Sequence, residues 1–247
     1  MIILGIDTAT TLVSVAVIDG DKILAASESL SDRRHAEDLT PMLDFVVRRA
    51  GLQFADIDAI AVDVGPGLFT GMRVGIASAQ AMAHVLAVPL VGVDGLDALV
   101  AAASSSTTEE HEIIVPTIDT RRGDVAWAVH RRRDSEPAVR VDPPRIGTME
   151  DLVMALRDRA QSCHLVGGFA LNHREELREA LGVQAWEISF GDTNDIHPHA
   201  RYVALLAHAR LLRSEIGDDD VDTAPRVTAL YLREADAEIN WSTRSRP

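Results

Sequence analysis

The sequence predicts an α/β protein of two domains, each a mixed sheet flanked by helices. Three observations predict it. The order strand, strand, strand, helix, strand, helix can be read twice along the chain. The segment SSSTTEEHE (Ser104 to Glu112) is polar, small and aperiodic, as a domain junction is. The 247 residues exceed the roughly 100 to 150 of an ordinary single domain. The expected domains are 1-105 and a smaller 106-247, with the last long helix, 200-216, placed to pack back on the first.

In the first domain, Ile2 to Ile6 is an apolar run ending at Asp7, and Leu12 to Ile18 is a second, rich in valine and isoleucine. DTATT joins them. After the turn DGD (Asp19 to Asp21) the chain resumes as Lys22 to Leu30, which gives a three-stranded meander. Leu39, Leu43, Val46 and Val47 recur at helical spacing between His35 and Ala50, with Gly51 placed as a C-cap and Pro41 bending or starting the helix. Strand Ile57 to Val64, helix Gly71 to Leu86, strand Pro89 to Val93 and helix Leu96 to Ala103 complete the domain.

The second domain repeats the order with Ile113 to Ile118, Val125 to His130 and Ala138 to Val141 as strands. Helix Met149 to Ala160, strand His164 to Val166, the pair Gly167-Gly168 and a short helix through Leu181 follow. A final helix from Ala200 to Ile216 ends in the acidic loop GDDDVD (Gly217 to Asp222), and Val227 to Asp236 is an extended segment before a loose tail.

The formal net charge is -14, which repels phosphate backbones and anionic lipid and argues against a protein that grips nucleic acid alone. The single cysteine, Cys163, forms no internal disulfide and suggests a reducing compartment. No apolar run reaches the roughly 20 residues of a membrane span, and MIILGIDTAT lacks a signal peptide's basic and apolar regions. No membrane association and a cytoplasmic location are therefore expected.

The stretch VGPGLFTGMRVGIASAQAMAHVL (Val64 to Leu86) puts a glycine turn between a strand and a helix, an arrangement that aims backbone N–H groups at one spot and suits an anion. Its spacing, G-x-G-x-x-x-G, is neither the dinucleotide nor the P-loop pattern, and no Lys-Ser/Thr follows Gly71. The candidate phosphate loop is Asp7, Thr8, Gly65, Gly67, Thr70 and Gly71. The competing reading is that glycine and proline let the strand enter the helix sharply, while alanines permit close helix packing. Asp7, Asp63 and Asp119 stand at strand ends, where capping of the following turn is preferred over a carboxylate site. For His197 and His199 a surface or capping role is preferred over metal binding, and for His84 packing; no zinc-like cluster is expected.

The opening GIDTATTLVSVAV and the two-domain duplication resemble the actin-like ATPase superfamily (ASKHA, ribonuclease H-like). ILGIDTAT, RRHAEDLTPML, VGPGLFTGMRVGIASAQAMA, IDTRRGDVAW and YLREAD occur in the order that resembles the TsaB (YeaZ) family over nearly the whole chain. The chain departs from that pattern at Leu68, where serine is usual, at Gln80-Ala81, often lysine-glycine, and at Trp127, commonly tyrosine.

The resemblance implies a required, non-catalytic subunit that pairs with TsaD, the metal-binding paralogue that transfers the threonylcarbamoyl group to adenosine 37 of tRNAs reading ANN codons. The paralogue's metal is held by two histidines one helical turn apart, and the comparable segment here, GVDGLDALVAAA (Gly92 to Ala103), has none. It implies a four-helix contact in the TsaD heterodimer and in a homodimer, with His35, Leu39, Met42, Leu43, Val46, Met72, Arg73, Ile76, Ala79 and Ala83 as candidate interface residues; the alternative is that these side chains face the sheet. For His35 a structural or interface hydrogen bond is favoured over catalysis. Arg73 either pairs with an acidic group across that contact or fixes the loop. No tightly bound cofactor and no metal are expected; weak ATP or ADP at the partner interface, a TsaE-like ATPase as a third partner and only indirect contact with tRNA are the further expectations. The RRR run at Arg131 to Arg133, with Arg121 and Arg122, is read as an exposed strand end before it is read as a tRNA contact. The runner-up is an independent actin-like ATPase or small-molecule kinase, and a metallopeptidase is the weakest reading.

Overall fold

The computed structural model describes residues 1–31, 34–106, 113–121, 123–132, 137–159, 162–182, 188–213 and 227–232. The first meander is β1 (Ile2–Asp7), β2 (Leu12–Asp19) and β3 (Lys22–Leu30). Helix α1 (His35–Arg49), β4 (Ala59–Asp63), α2 (Phe69–Leu86), β5 (Leu90–Val93) and α3 (Gly95–Ser106) follow. The five strands lie in the order β3-β2-β1-β4-β5, with β1 antiparallel to β2 and parallel to β4.

The second unit has β6 (Ile113–Asp119), β7 (Val125–Arg131), β8 (Val139–Gly147), α4 (Met149–Arg157), β9 (Cys163–Val166), α5 (Gly168–Asn172), α6 (Arg174–Leu181) and β10 (Ile188–Phe190). Its order, β10-β9-β6-β7-β8, repeats that of the first sheet: meander, then two parallel strands beyond the first. The architecture is the two-sheet α/β fold expected.

Helix α1 is continuous through Pro41, which is exposed within it, and its C-cap is Ala50, one residue before Gly51. The short helix expected after Gly167-Gly168 is two helices, α5 and α6, and β10 is an additional strand. β8 extends well beyond Val141, through Pro143 and Pro144. It is an edge strand, where a missing N–H need not break a ladder. Helix α4 starts at Thr148, whose hydroxyl accepts the Asp151 N–H while the Asp151 carboxylate accepts the Thr148 N–H.

The last helix, α7 (Ala200–Leu212), returns to the first sheet. Val203, Ala204 and Ala207 pack with Ile3, Ile18, Ala61 and Val93. Gly5 permits that approach, because a Cβ there would lie 2.3 Å from the Ala200 carbonyl oxygen. Helices α1 and α2 cover the opposite face, with Leu39, Val46, Met72 and Ile76 buried against Leu4, Val15 and Val62. Each such large side chain contributes about 1.5–3 kcal/mol by leaving water. Helix α3 joins the two sheets, burying Leu96, Leu99 and Val100 against Ile114, Ile118 and Val166. Ile216, the loop 217–222 and the chain beyond residue 232 lie outside the described residues, as do Arg122 and Arg133.

Candidate functional site

Strand ends collect aspartates for one local reason. Asp7 Oδ1 accepts the Ala9 N–H at 2.8 Å, Asp63 Oδ1 the Gly65 N–H at 2.7 Å, and Asp119 Oδ1 the Arg121 N–H at 2.6 Å. The preferred reading holds at all three: each caps the turn after its strand. Asp94, at the end of β5, does the same for Leu96.

Tertiary structure adds what the turns do not predict. β1 and β4 are parallel with Ile6 opposite Val62, so one further step sets Asp7 beside Asp63, both buried. Asp119 lies elsewhere, on the second sheet. The Oδ2 atoms of Asp7 and Asp63 have no hydrogen-bond partner among the described residues, and a proton held on one carboxyl would relieve the repulsion between the two. Burial pushes Asp7 up to about 7 against the lowering pull of the Ala9 N–H. Burial, then the neighbouring Asp7 charge, raises Asp63 well above the ordinary carboxylate range. The pair can hold a proton at neutral pH.

The glycine loop packs against the β1–β2 turn. A Cβ at Gly67 would lie 2.1 Å from the Ala9 carbonyl oxygen, and one at Gly71 2.2 Å from that of Thr8. Thr8 Oγ1 donates to the Gly71 carbonyl at 2.7 Å, and the Leu68 N–H donates to the Ala9 carbonyl at 2.6 Å. Chain-to-chain contact thus accounts for the glycines at 67 and 71. Thr70 is exposed and Gly67 half-buried, while Asp7, Thr8, Gly65 and Gly71 are buried.

The candidate interface residues divide sharply. His35, Leu39, Met42, Leu43, Val46, Met72, Ile76, Ala79 and Ala83 are all buried within the chain itself, facing the sheet and one another. This corrects their expected place on a surface: a stripe at helical spacing fits a core as well as a partner, and here the sheet takes it. His35 Nε2 donates to the Thr10 carbonyl at 2.8 Å, the structural bond expected of it. The outer faces of α1 and α2 carry other residues: Pro41 and Phe45 on α1, Phe69, Ala77, Ala81 and Val85 on α2, with Phe45 56% and Val85 80% exposed. His84 is exposed too, not packed as expected, because it falls on this outer face. The signal for this surface was the other side of the same helical wheel.

Arg73 fixes a segment distant in sequence. Its guanidinium lies 3.7 Å from the centre of the Phe69 ring, and its Nε donates to the Tyr231 hydroxyl at 3.0 Å. The Leu230 N–H donates to the Val64 carbonyl and Gln80 Nε2 to the Val227 carbonyl, so residues 227–232 run along the first domain as a strap, without strand pairing. Leu232 reaches the second unit, lining a cleft of about 610 Å³ with Trp127, Arg145 and Met154.

A polar network between the units escaped the sequence reading. Asp97 on α3 accepts from His130 Nε2 on β7 at 2.8 Å, from Arg140 on β8 at 2.6 Å and from Arg210 on α7 at 3.3 Å. Burial pushes the Asp97 carboxyl up, but His130 and Arg140 more than offset it and hold it below its ordinary value. Arg140 also bonds Asp94 at 2.7 Å. Spanning residues 94 to 210, these partners leave no local pattern to find. His199 is buried rather than surface-lying, and its ring bonds Glu28 and the Asn194 carbonyl instead of capping α7. Among the described residues no group of three or more His, Cys, Asp or Glu is arranged to hold a metal ion, and no helix is long and apolar enough to cross a membrane.

The chain thus carries one α/β unit twice, with the same strand order in both sheets and a helix launched from a glycine turn in each. A Pseudomonas aeruginosa protein described as similar to the peptidase YeaZ shares the fold: TM-score 0.76, 24% identity, 94% of this chain and 99% of that one covered. In sequence the chain is similar to proteins named TsaB. It is 36% identical over 135 residues to the tRNA threonylcarbamoyladenosine biosynthesis protein TsaB of Escherichia coli, covering 55% of this chain and 57% of that one. It is 23% identical over 241 residues to TsaB of Bacillus subtilis, 98% of each chain. The family model described as TsaD, tRNA N6-adenosine threonylcarbamoyltransferase, matches residues 26–141. Several curated relatives at 37–40% identity are matched over only 40–57% of their own length.

Proposed function

We propose that this chain is a TsaB-type subunit that pairs with a TsaD-like catalytic protein for N6-threonylcarbamoylation of adenosine 37 in tRNAs reading ANN codons. The observation that carries this reading is the match to a named TsaB along 98% of both chains. The subunit does no transfer chemistry of its own: its strand-end carboxylates are buried and engaged in turns, and its glycine loop is filled by the β1–β2 turn. The net charge of -14 leaves tRNA contact to the partner.

The outer face of α1 and α2 is the docking surface in this reading, and a second copy of the chain uses it when no partner is present. Exposed Phe45 and Val85 flank small Ala77 and Ala81, which lets partner helices come close. A TsaE-like ATPase and weakly bound ATP or ADP belong at the edge of that assembly. An independent ATPase or small-molecule kinase is not favoured, since the named relatives belong to threonylcarbamoyladenosine biosynthesis.

Reconstitution tests the reading. TsaD, substrate tRNA, threonylcarbamoyl-adenylate and a metal ion are mixed with and without this chain, and modified adenosine is measured. Product is expected to depend on the chain, and equal product in both tubes refutes the role. Phe45→Glu and Val85→Glu are expected to abolish co-purification with TsaD while leaving the circular dichroism of the free chain unchanged.

A further inference from the structure

The chain leaves the second sheet at β10, passes the 3-10 turn Thr193–Asp195 and enters α7 on the first sheet. His199, just before α7, is buried at this crossing. Its Nδ1 lies 2.8 Å from Glu28 Oε1 on β3, and its Nε2 lies 3.0 Å from the Asn194 carbonyl oxygen on the connecting loop. A carboxylate and a carbonyl only accept hydrogen bonds, whereas a neutral imidazole has one N–H to give. With Glu28 ionised, both bonds exist together only when the ring carries two protons.

We propose that His199 is a proton-operated latch on the segment connecting the two domains: doubly protonated, it ties the connecting loop to the first sheet, and on losing one proton it releases one of its two partners. The surroundings favour the closed form. Glu28 on β3 is held below its ordinary value, first by the hydrogen bond from His199, and it also accepts from Arg201 of α7 at 3.0 Å. On the loop, burial pushes His197 down to about 4, so it is neutral near pH 6 and adds no competing charge. Asp7 on β1, with its value at about 7, gains negative charge as the pH rises through neutrality and opposes opening. The Tyr202 ring of α7 meets the imidazole edge-on at 6.3 Å.

Opening frees the loop and not the helix. The Ala200 N–H donates to Ser14 Oγ at 2.8 Å, which anchors the start of α7 whether or not His199 is charged. The motion released by the proton is therefore confined to residues 193–199, the segment that joins the second sheet to α7.

The test uses the full chain labelled with ¹⁵N at histidine. While both bonds hold, both ring nitrogens of His199 should show imidazolium shifts, and as the pH is raised one should become unprotonated. Over the same range, amide exchange across residues 193–199 should accelerate about tenfold beyond its base-catalysed rise, as loss of one charge-assisted bond predicts. His199→Gln, with a donor that does not titrate, should abolish the extra acceleration. Glu28→Gln keeps the ring but removes its carboxylate partner, and should move the transition to lower pH. A ring with one unprotonated nitrogen at every pH where the loop amides stay protected, a transition unmoved by Glu28→Gln, or the same acceleration in His199→Gln each overturns the latch.

Discussion

The two sheets share a strand order and a way of launching a helix, yet they differ at the point where the parallel strands end. After β4 the chain turns at Gly65, φ +102, and after β9 at Gly167, φ +98. Two residues before each glycine stand Asp63 and Leu165. Across the parallel ladder, Asp63 meets Asp7, whereas Leu165 is registered with Val115. One domain buries a carboxyl pair where the other buries two hydrocarbon side chains. Burying a polar group without a partner costs about 1–3 kcal/mol, so the first pair persists only by holding a proton and capping its turns. The helices differ as well. After Gly65 comes α2, 18 residues long, and after Gly167 come α5 and α6, of 5 and 8 residues. Only the first arrangement offers a long outer face beside a second helix.

The largest test of this contrast sets the inner face of α2 against its outer face. Ala79 is 0% exposed, and Ala81, two residues on, is exposed. Ala79→Glu should lower the unfolding free energy by about 4 kcal/mol or more by burying an unpaired charge, and Ala81→Glu by less than about 0.5 kcal/mol. Denaturant titration followed by circular dichroism measures both. Similar values for the two variants would break the division of the helix into buried and exposed faces.

The glycines give the next largest effect. A Cβ at Gly167 would lie 1.9 Å from the Thr117 carbonyl oxygen, part of the backbone of β6. At Gly65 the nearest obstacle is Met72 Sδ at 2.3 Å, the far end of a flexible side chain. Both positions carry the strain of a positive φ, about 1–3 kcal/mol for a residue with a side chain. Gly167→Ala should therefore lose about 3 kcal/mol or more, and Gly65→Ala nearer the strain alone. Equal losses would mean that the two turns are held alike.

These positions also show what the sequence could tell. The runs Ile2 to Ile6 and Leu12 to Ile18 are continuous and apolar because both faces of those strands are covered, by α1 and α2 on one side and α7 on the other. That makes them easy to read. β10 has three residues and no alternation, and β8 hides behind Pro143 and Pro144. The stripe of Leu39, Met42, Leu43 and Val46 was plain, but a periodicity of 3.6 states that a face is apolar and not what covers it. The strand-end aspartates were legible as turn caps because capping is local. The pairing of Asp7 with Asp63 and the ties from Asp97 to His130, Arg140 and Arg210 arise from register and from α3 lying between the sheets, and neither is local.

The smallest effect is the one that best isolates the carboxyl pair. In the fold Asp7 sits at about 7 against an ordinary 3.8, and Asp63 is raised too, both chiefly by burial. A carboxyl raised on folding keeps a proton that the unfolded chain has already lost. Its contribution to stability is thus full at low pH and falls as the pH rises from about 4, ending at about 7 for Asp7 and continuing higher for Asp63. Asp63→Asn removes one titrating group, keeps an acceptor for the Gly65 N–H and supplies an amide donor to Asp7. The variant should gain about 1 kcal/mol over the parent above about pH 8, gain nothing below about pH 5, and show a shallower fall between. Leu165→Asn, at the matching place in the second domain, has no carboxyl to relieve and should destabilise at every pH. If unfolding midpoints across that range shift in parallel for Asp63→Asn and its parent, the pair holds no proton, and the contrast between the domains reduces to one of size.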